Sequence, residues 1–169
     1  MPQPNLQTVP PFYHNYIKLV PQNNVKEAFE RHLADFAELL QSLPEEKWNH
    51  RYAEGKWTIK ELVQHVIDTE RIFAYRALAF ARGDQTSLPG FDENLYAANS
   101  KADKRKIKDL LQELKAVQVS TALLFASFDE AQLQATGIAN GKAIDVNAIG
   151  FITVGHTLHH KNILQERYL

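Results

Sequence analysis

The chain contains no cysteine. This absence excludes disulfide bonds, iron–sulfur clusters, thiolate zinc sites and a cysteine nucleophile supplied by the protein itself. The sequence also lacks any run of about 18 apolar residues, the length that a membrane-spanning helix needs. Residues 1–11 have neither the basic start nor the apolar run of a signal peptide. We therefore expect a cytoplasmic protein that has no membrane partner.

Neither sign of charge dominates, since 19 Lys and Arg stand against 20 Asp and Glu. Proteins that bind nucleic acid usually carry a clustered basic face, so we expect no nucleic-acid partner. A length of 169 residues suits one domain with a sizeable core. We therefore expect a single domain over residues 1–169. The sequence leaves the oligomeric state open, with a homodimer among the options.

Apolar residues recur with helical periodicity in four long segments, and strand signals are almost absent. The predicted helices cover residues 24–42, 59–82, 101–128 and 146–167. Each begins at a residue that typically caps a helix: Asn24, Thr58, Ser100 and Asp145. The pattern predicts an all-α fold, an antiparallel four-helix bundle with a long crossover loop between helices 2 and 3.

The segments outside these helices carry their own signals. The crossover, residues 83–99, contains a predicted short helix over residues 92–98. In residues 137–144, Asn140-Gly141 between short apolar runs predicts a hairpin with a type I′ turn. Residues 1–23 are predicted to be an extended segment whose aromatic side chains pack across the bundle.

The densest chemical signal is a histidine cluster in the last predicted helix. His156 and His160 are four residues apart, so they face the same way and can converge on one cation. Metal-binding HExxH helices use the same spacing. The helical wheel also permits His159 and prefers His160 only modestly. Buried neutral histidines are costly unless they have a metal or hydrogen-bond partners. The alternative to a metal is therefore a polar, hydrogen-bonded bundle interior.

A third ligand must come from another helix, and His65 lies on the inner margin of the second one. His32 is interpreted as a buried, hydrogen-bonded histidine, with a fourth ligand or a pocket residue as the alternative. Asp68 and Glu70 flank the apolar stripe, so they are interpreted as surface groups or as groups that hydrogen-bond to the metal ligands. Arg76 could bind an anion in a pocket. Its alternative is a salt bridge to Glu70 or to a carboxylate of the third helix.

Several segments together resemble the DinB/YfiT-like metalloenzymes (the DinB superfamily). They are Trp57-Thr58-Ile59-Lys60-Glu61-Leu62 followed by His65 and Asp68, then Arg82-Gly83-Asp84, Pro89-Gly90-Phe91-Asp92, Asn140-Gly141-Lys142, and Gly155-His156 followed by His159-His160. Their order and spacing extend over nearly the whole chain. The resemblance implies a four-helix bundle with a divalent metal bound by one histidine of helix 2 and an HxxxH pair of helix 4. At the matching positions stand His65, His156 and His160, with His159 beside them.

Three histidine ligands leave metal positions open, which is typical of a catalytic site rather than a structural one. The resemblance implies a thiol S-transferase or isomerase with a low-molecular-weight thiol as cosubstrate and an electrophile as its partner. A metal-dependent hydrolase with a hydrolysable substrate is one alternative, and a non-catalytic metal-binding module of a stress response is another. Imidazole ligands suit several ions. We expect zinc or nickel, with iron or manganese as alternatives.

Overall fold

The structure is a computed structural model that describes residues 1–32 and 34–169. Its helices are α1 (His14–Lys18), α2 (Val25–His32), α3 (Asp35–Gln41), α4 (Ile59–Ala81), α5 (Glu93–Asn99), α6 (Ile107–Ser127), α7 (Glu130–Gln134) and α8 (Val146–Ile163). The strands β1 (Thr136–Ala139) and β2 (Lys142–Asp145) form a hairpin. Single 3-10 turns occupy Pro11–Tyr13, Glu45–Asn49 and Ala102–Lys104, and a π-helical turn, Leu164–Tyr168, follows α8.

The predicted four-helix bundle is confirmed. The long helix α4 packs against both α6 and α8, while α2 and α3 together pack on the other side of the same two helices. The chain between α4 and α6 is the predicted long crossover and contains α5. No helix in the described part of the chain is both long and apolar enough to cross a bilayer.

Two predicted helices differ from those observed. The first, over residues 24–42, corresponds to α2 and α3, and residue 33 between them lies outside the described residues. The third, predicted over residues 101–128 with Ser100 as its cap, begins at Ile107 instead. Lys101 has a φ of 53°, a left-handed conformation that a right-handed helix cannot contain. Ser100 therefore ends α5 rather than capping α6.

The hairpin prediction is confirmed in its turn type. Asn140 and Gly141 have φ values of 51° and 70°, and a type I′ turn requires positive φ at both central residues. Thr136 lies opposite Asp145 in the antiparallel register. The short crossover helix is also present, and the Asp92 carboxylate caps it by accepting from the backbone N–H of Asn94 at 2.9 Å.

The N-terminal segment, residues 1–23, is not extended throughout as predicted, because Pro11–Tyr13 and α1 are helical. Proline suits the first turn of a helix, since its missing N–H has no partner there in any case. A Cβ atom on Gly155 of α8 would lie 2.1 Å from the Tyr16 carbonyl oxygen, so the close approach of α1 to α8 requires glycine. This approach brings Tyr16 of α1 to His156 and His159 of α8.

The apolar core consists of two clusters that contact the chain before and after the histidine segment of α8. One includes residues of the first half of α8 up to Val154, together with Phe80 of α4 and Phe125 of α6. The other includes Leu164 and Tyr168 after the end of α8. The segment of α8 between the two clusters carries the histidines. Apolar packing above and below therefore fixes the position of this polar segment.

Candidate metal centre

The first histidine is positioned by the well-defined start of α4. The Thr58 hydroxyl accepts from the backbone N–H of Glu61 at 3.1 Å, and the Glu61 carboxylate accepts from the backbone N–H of Thr58 at 2.7 Å. This reciprocal capping box satisfies two N–H groups that the helix leaves free. His65 follows about two turns later and points inward, where it is 8% exposed.

The other two histidines are held by α8. The carboxylate of Asp145 accepts from the backbone N–H of Ala148 at 2.7 Å and caps the helix, as the sequence predicts. His156 and His160 are one turn apart on the buried face, with exposures of 4% and 7%. Two capped helices with largely buried faces therefore carry all three imidazoles.

The three imidazoles meet at their Nε2 atoms. His65 Nε2 lies 3.0 Å from His156 Nε2, and His160 Nε2 lies 3.1 Å from the same atom. One nitrogen from each ring lies within 4.8 Å of the others. The structure thus brings together the three histidines that the sequence singles out and places their nitrogens around one point.

Burial keeps these imidazoles neutral. Burial, together with a smaller contribution from the nearby His159, lowers the pKa of His65 to about 4. Burial also holds the pKa values of His156 and His160 well below the ordinary value, and the neighbouring imidazoles act in the same direction. Neutral imidazole is the form that binds a metal ion, because its unprotonated nitrogen carries the lone pair.

The arrangement fits a divalent ion better than it fits hydrogen bonding alone. A proton on one Nε2 atom can be shared with only one neighbour, so three facing nitrogens cannot all be satisfied by each other. Ligands bound about 2.1 Å from a common ion at angles between roughly 90° and 109° lie about 3.0–3.4 Å apart, and the observed spacings fall in that range. On the far side of one ring, the Thr69 hydroxyl lies 3.4 Å from His65 Nδ1.

A cavity of about 240 Å³ opens beside the three imidazoles. Aromatic rings form much of its wall, and its polar lining includes Arg76 and the exposed Glu93. The ring of Trp57 lies 4.7 Å from that of His65, and the ring of Tyr16 lies 5.5 Å from that of His156. The aromatic wall residues are Phe12, Tyr13, Tyr16, Trp57, Phe73 and Phe91.

These wall residues were not singled out as site residues from the sequence. Trp57 belongs to the segments that carry the family resemblance, but nothing in helical periodicity shows where a residue before a helix cap will point. The aromatics of the N-terminal segment were predicted to pack across the bundle, and Tyr13 does lie 6.3 Å from Phe73 of α4. Their place beside the histidines depends on the packing of α1 against α8, which one sequence does not reveal.

His159 and Asp68 lie outside the cluster. His159 is half-buried, with its ring 5.2 Å from the ring of Tyr16. Asp68 accepts a hydrogen bond from Gln64 at 2.9 Å and lies 3.9 Å from Arg71. The structure therefore places Asp68 in a polar network of α4, while His159 supports the tyrosine that packs against the site.

His32 also lies apart from the three imidazoles. Its Nδ1 atom lies 2.9 Å from an Asp35 carboxylate oxygen, and its Nε2 atom lies 3.1 Å from the Gln22 side-chain oxygen. His32 and Glu70 line a separate small cavity of about 20 Å³. These two contacts agree with the interpretation of His32 as a hydrogen-bonded histidine. The buried Glu70 lies near His32 and is not paired with Arg76.

The model of the DinB superfamily matches residues 28–164 of the chain. A protein of Geobacillus thermodenitrificans named "Putative metal-dependent hydrolase" is 26% identical over 120 residues, which cover 70% of this chain and 67% of that protein. A protein of Oceanobacillus iheyensis with the same description is 34% identical over 61 residues, covering 36% of this chain and 35% of that protein.

Among solved structures, YfiT from Bacillus subtilis has a similar fold, with a TM-score of 0.68 at 15% identity. The superposition covers 96% of this chain and 89% of that one. YfiT is described as a probable metal-dependent hydrolase with an unusual four-helix bundle topology. At this level of identity the likeness shows the fold alone.

Proposed function

The chain belongs to the DinB superfamily, and we propose that it is a divalent-metal-dependent enzyme in which His65, His156 and His160 hold the ion. The observation that carries this proposal is the convergence of three buried, neutral imidazoles beside a cavity of about 240 Å³, with the Nε2 atoms of His65 and His160 at 3.0 Å and 3.1 Å from that of His156. A structural metal site is usually closed by four protein ligands, whereas three ligands beside a cavity leave room for a reactant. The cavity also argues against a binding module in which the site would be plugged.

A divalent ion at this site would supply a Lewis acid that lowers the pKa of a small nucleophile such as a thiol or water. The Nε2 atoms of His65, His156 and His160 would hold the ion, and the residues that line the cavity would orient the substrate. The rings of Trp57 and Phe73 wall the site and reduce its access to water. Zinc and nickel are our first candidates for the ion, with iron and manganese next.

We propose a low-molecular-weight thiol as the nucleophile. Its sulfur forms a bond to an electrophilic carbon, the bond from that carbon to a leaving group such as a halide breaks, and the thiol proton passes to water. The chain has no cysteine, so a reacting sulfur must arrive from outside. Among the described residues that line the cavity, the only carboxylate is the exposed Glu93. Hydrolysis by water usually employs a general base within hydrogen-bonding reach, whereas a thiol is acidic enough to lose its proton near a cation without one. This donor set therefore favours a thiol S-transferase.

Hydrolysis is the second candidate, and the names of the two relatives favour it. It requires no change in the proposed ligands, since water would take the place of the thiol. The two reactions differ in their products, so one set of assays separates them.

The test is a comparison of reactions on protein loaded separately with zinc, nickel, iron or manganese. Conjugation of 2-mercaptoethanol to 1-chloro-2,4-dinitrobenzene tests transfer, and p-nitrophenyl acetate tests hydrolysis. His156→Ala should lose turnover with every metal, while His159→Ala is the matched control, an adjacent histidine outside the cluster. Equal turnover in His156→Ala and the unmodified protein would overturn the proposal, and ester cleavage without thiol conjugation would favour the hydrolase.

A further inference from the structure

A buried arginine lines the same cavity as the three histidines. Arg76 of α4 is only 4% exposed. Its Nη2 atom donates to the Pro89 carbonyl oxygen at 2.7 Å, and its Cζ atom lies 5.9 Å from the Phe73 ring centroid. Across residues 1–32 and 34–169, no carboxylate lies within 4.0 Å of its guanidinium nitrogens. The sequence-based alternative, a salt bridge to Glu70, is therefore not observed.

One contact to a carbonyl does not explain a buried positive charge. A guanidinium group has five N–H donors, and the bond to Pro89 uses one of them. Removing an unpaired charge from water is costly, and a neutral donor could hold the crossover loop as well. The remaining donors and the charge are available to a ligand in the cavity.

The guanidinium and the histidines are close enough to bind the same small molecule. The Phe73 ring lies 5.9 Å from Arg76 Cζ and 6.0 Å from the His156 ring, so those two groups are at most about 12 Å apart. Side chains on a helix lean toward its N-terminus, which directs Arg76 back toward the level of His65. The aromatic wall between the two ends suits an apolar linker.

We propose that Arg76 binds a carboxylate of the substrate and that the substrate class is a small molecule with one negative charge at the end opposite its reacting group. A guanidinium pairs with a carboxylate through two parallel hydrogen bonds. One guanidinium suits a ligand with one negative charge better than a doubly charged phosphate. Among the described residues that line the cavity, Glu93 also carries a charge, and that charge is negative. Glu93 is exposed, so water screens its repulsion. That the other end of the substrate reacts at the metal rests on the proposed function, whereas the binding of its carboxylate rests on Arg76 alone.

The probes for the test are 6-mercaptohexanoate and the neutral 6-mercaptohexanol, which differ only at the end that Arg76 should contact. Binding to the zinc-loaded protein is followed by tryptophan fluorescence, because Trp57 lines the cavity. We expect the acid to bind at least about tenfold more tightly than the alcohol, as for hydrogen bonds to charged groups. Equal affinities in the unmodified protein would overturn the proposal without any variant.

The variants then assign the preference to one residue. Arg76→Met should reduce the ratio of the two affinities to about one, while Arg76→Lys, which keeps the charge, should retain part of it. Arg71→Met is the matched control on the same helix, because Arg71 is exposed and lies 2.7 Å from Glu113. An undiminished preference in folded Arg76→Met, or its loss in Arg71→Met, would overturn the assignment.

A separate signal distinguishes failure of this site from failure of the proposed function. Protein loaded with cobalt gives a sulfur-to-metal charge-transfer band when a thiol is bound to the ion. Absence of the band with both thiols would contradict the thiol function. The comparison is then repeated with hexanoate and hexanol on metal-free protein, where a preference for hexanoate that requires Arg76 supports the anion site and no preference refutes it.

Discussion

Replacing Glu70 by glutamine should change how the stability of the protein depends on pH. Glu70 lies in the interior of the bundle and is 3% exposed. Burial raises the pKa of its carboxyl group to about 7, and contact with Thr121 acts weakly in the opposite direction. The group faces a cavity of about 20 Å³ that His32 and Gln118 also line. The Gln118 side-chain oxygen is buried there and has no hydrogen-bond partner among the described residues.

The sign of the effect follows from the two protonation states. The pKa of Glu70 is about 7 in the folded chain and about 4.5 when unfolded, so between these values the folded state binds more protons. Stability therefore falls as the pH rises through this window. At about 1.4 kcal/mol for each unit of pKa difference, the loss attributable to Glu70 is about 3 kcal/mol. Glutamine does not titrate, so Glu70→Gln should gain about 3 kcal/mol relative to the unmodified protein between pH 5 and pH 8.

Urea unfolding at pH 5 and pH 8 measures this difference. Metal-free protein is used throughout, so that titration of the three histidines is common to both chains and cancels. His32 also lines the cavity, so the comparison is repeated with His32→Gln in both backgrounds. Glu30→Gln, at an exposed position of α2, is the control and should leave the difference near zero. The same stability difference between Glu70→Gln and the unmodified protein at both pH values would refute the reasoning.

Three further predictions concern α8, the helix that carries two of the three histidines. His156→Ala should abolish tight metal binding and leave far-UV circular dichroism nearly unchanged, because apolar packing folds the bundle; complete unfolding on chelation would instead make the ion structural. Gly155→Ala should cost about 1–3 kcal/mol in thermal unfolding, because the new Cβ meets the Tyr16 carbonyl; an unchanged melting temperature would mean that α1 does not pack this closely. Asp145→Ala should cost about 1 kcal/mol in urea unfolding, since Ala148 loses its cap, and Asp145→Asn should restore most of it.

The helices that carry the histidines were predicted well because their signals are local. Thr58 and Asp145 cap α4 and α8 as expected, and the apolar periodicity between the caps and stops needs no knowledge of the rest of the fold. The spacing of His156 and His160 on one face is likewise a property of a single helix. Once α4 and α8 pack on one core, their buried faces bring His156 and His160 close to His65.

The features that were not predicted depend on contacts between distant parts of the chain. The first six residues of the predicted third helix form other structure because Lys101 adopts a left-handed conformation, which apolar periodicity does not report. The sequence left the partner of Arg76 open between an anion and a salt bridge, since the partner is set by where the crossover loop places Pro89. The cavity wall includes Tyr16, whose place beside the histidines depends on the close packing of α1 on Gly155.

The central claim is that His65, His156 and His160 bind one divalent ion. Elemental analysis combined with X-ray absorption at the metal edge tests it most directly on the purified protein. We predict one ion per chain with three imidazole nitrogens at about 2.0–2.1 Å. We also predict its loss in His156→Ala and in His160→Ala, and its retention in His159→Ala. A chain that binds no stoichiometric ion, or one that loses its ion in His159→Ala and keeps it in His160→Ala, would contradict the account.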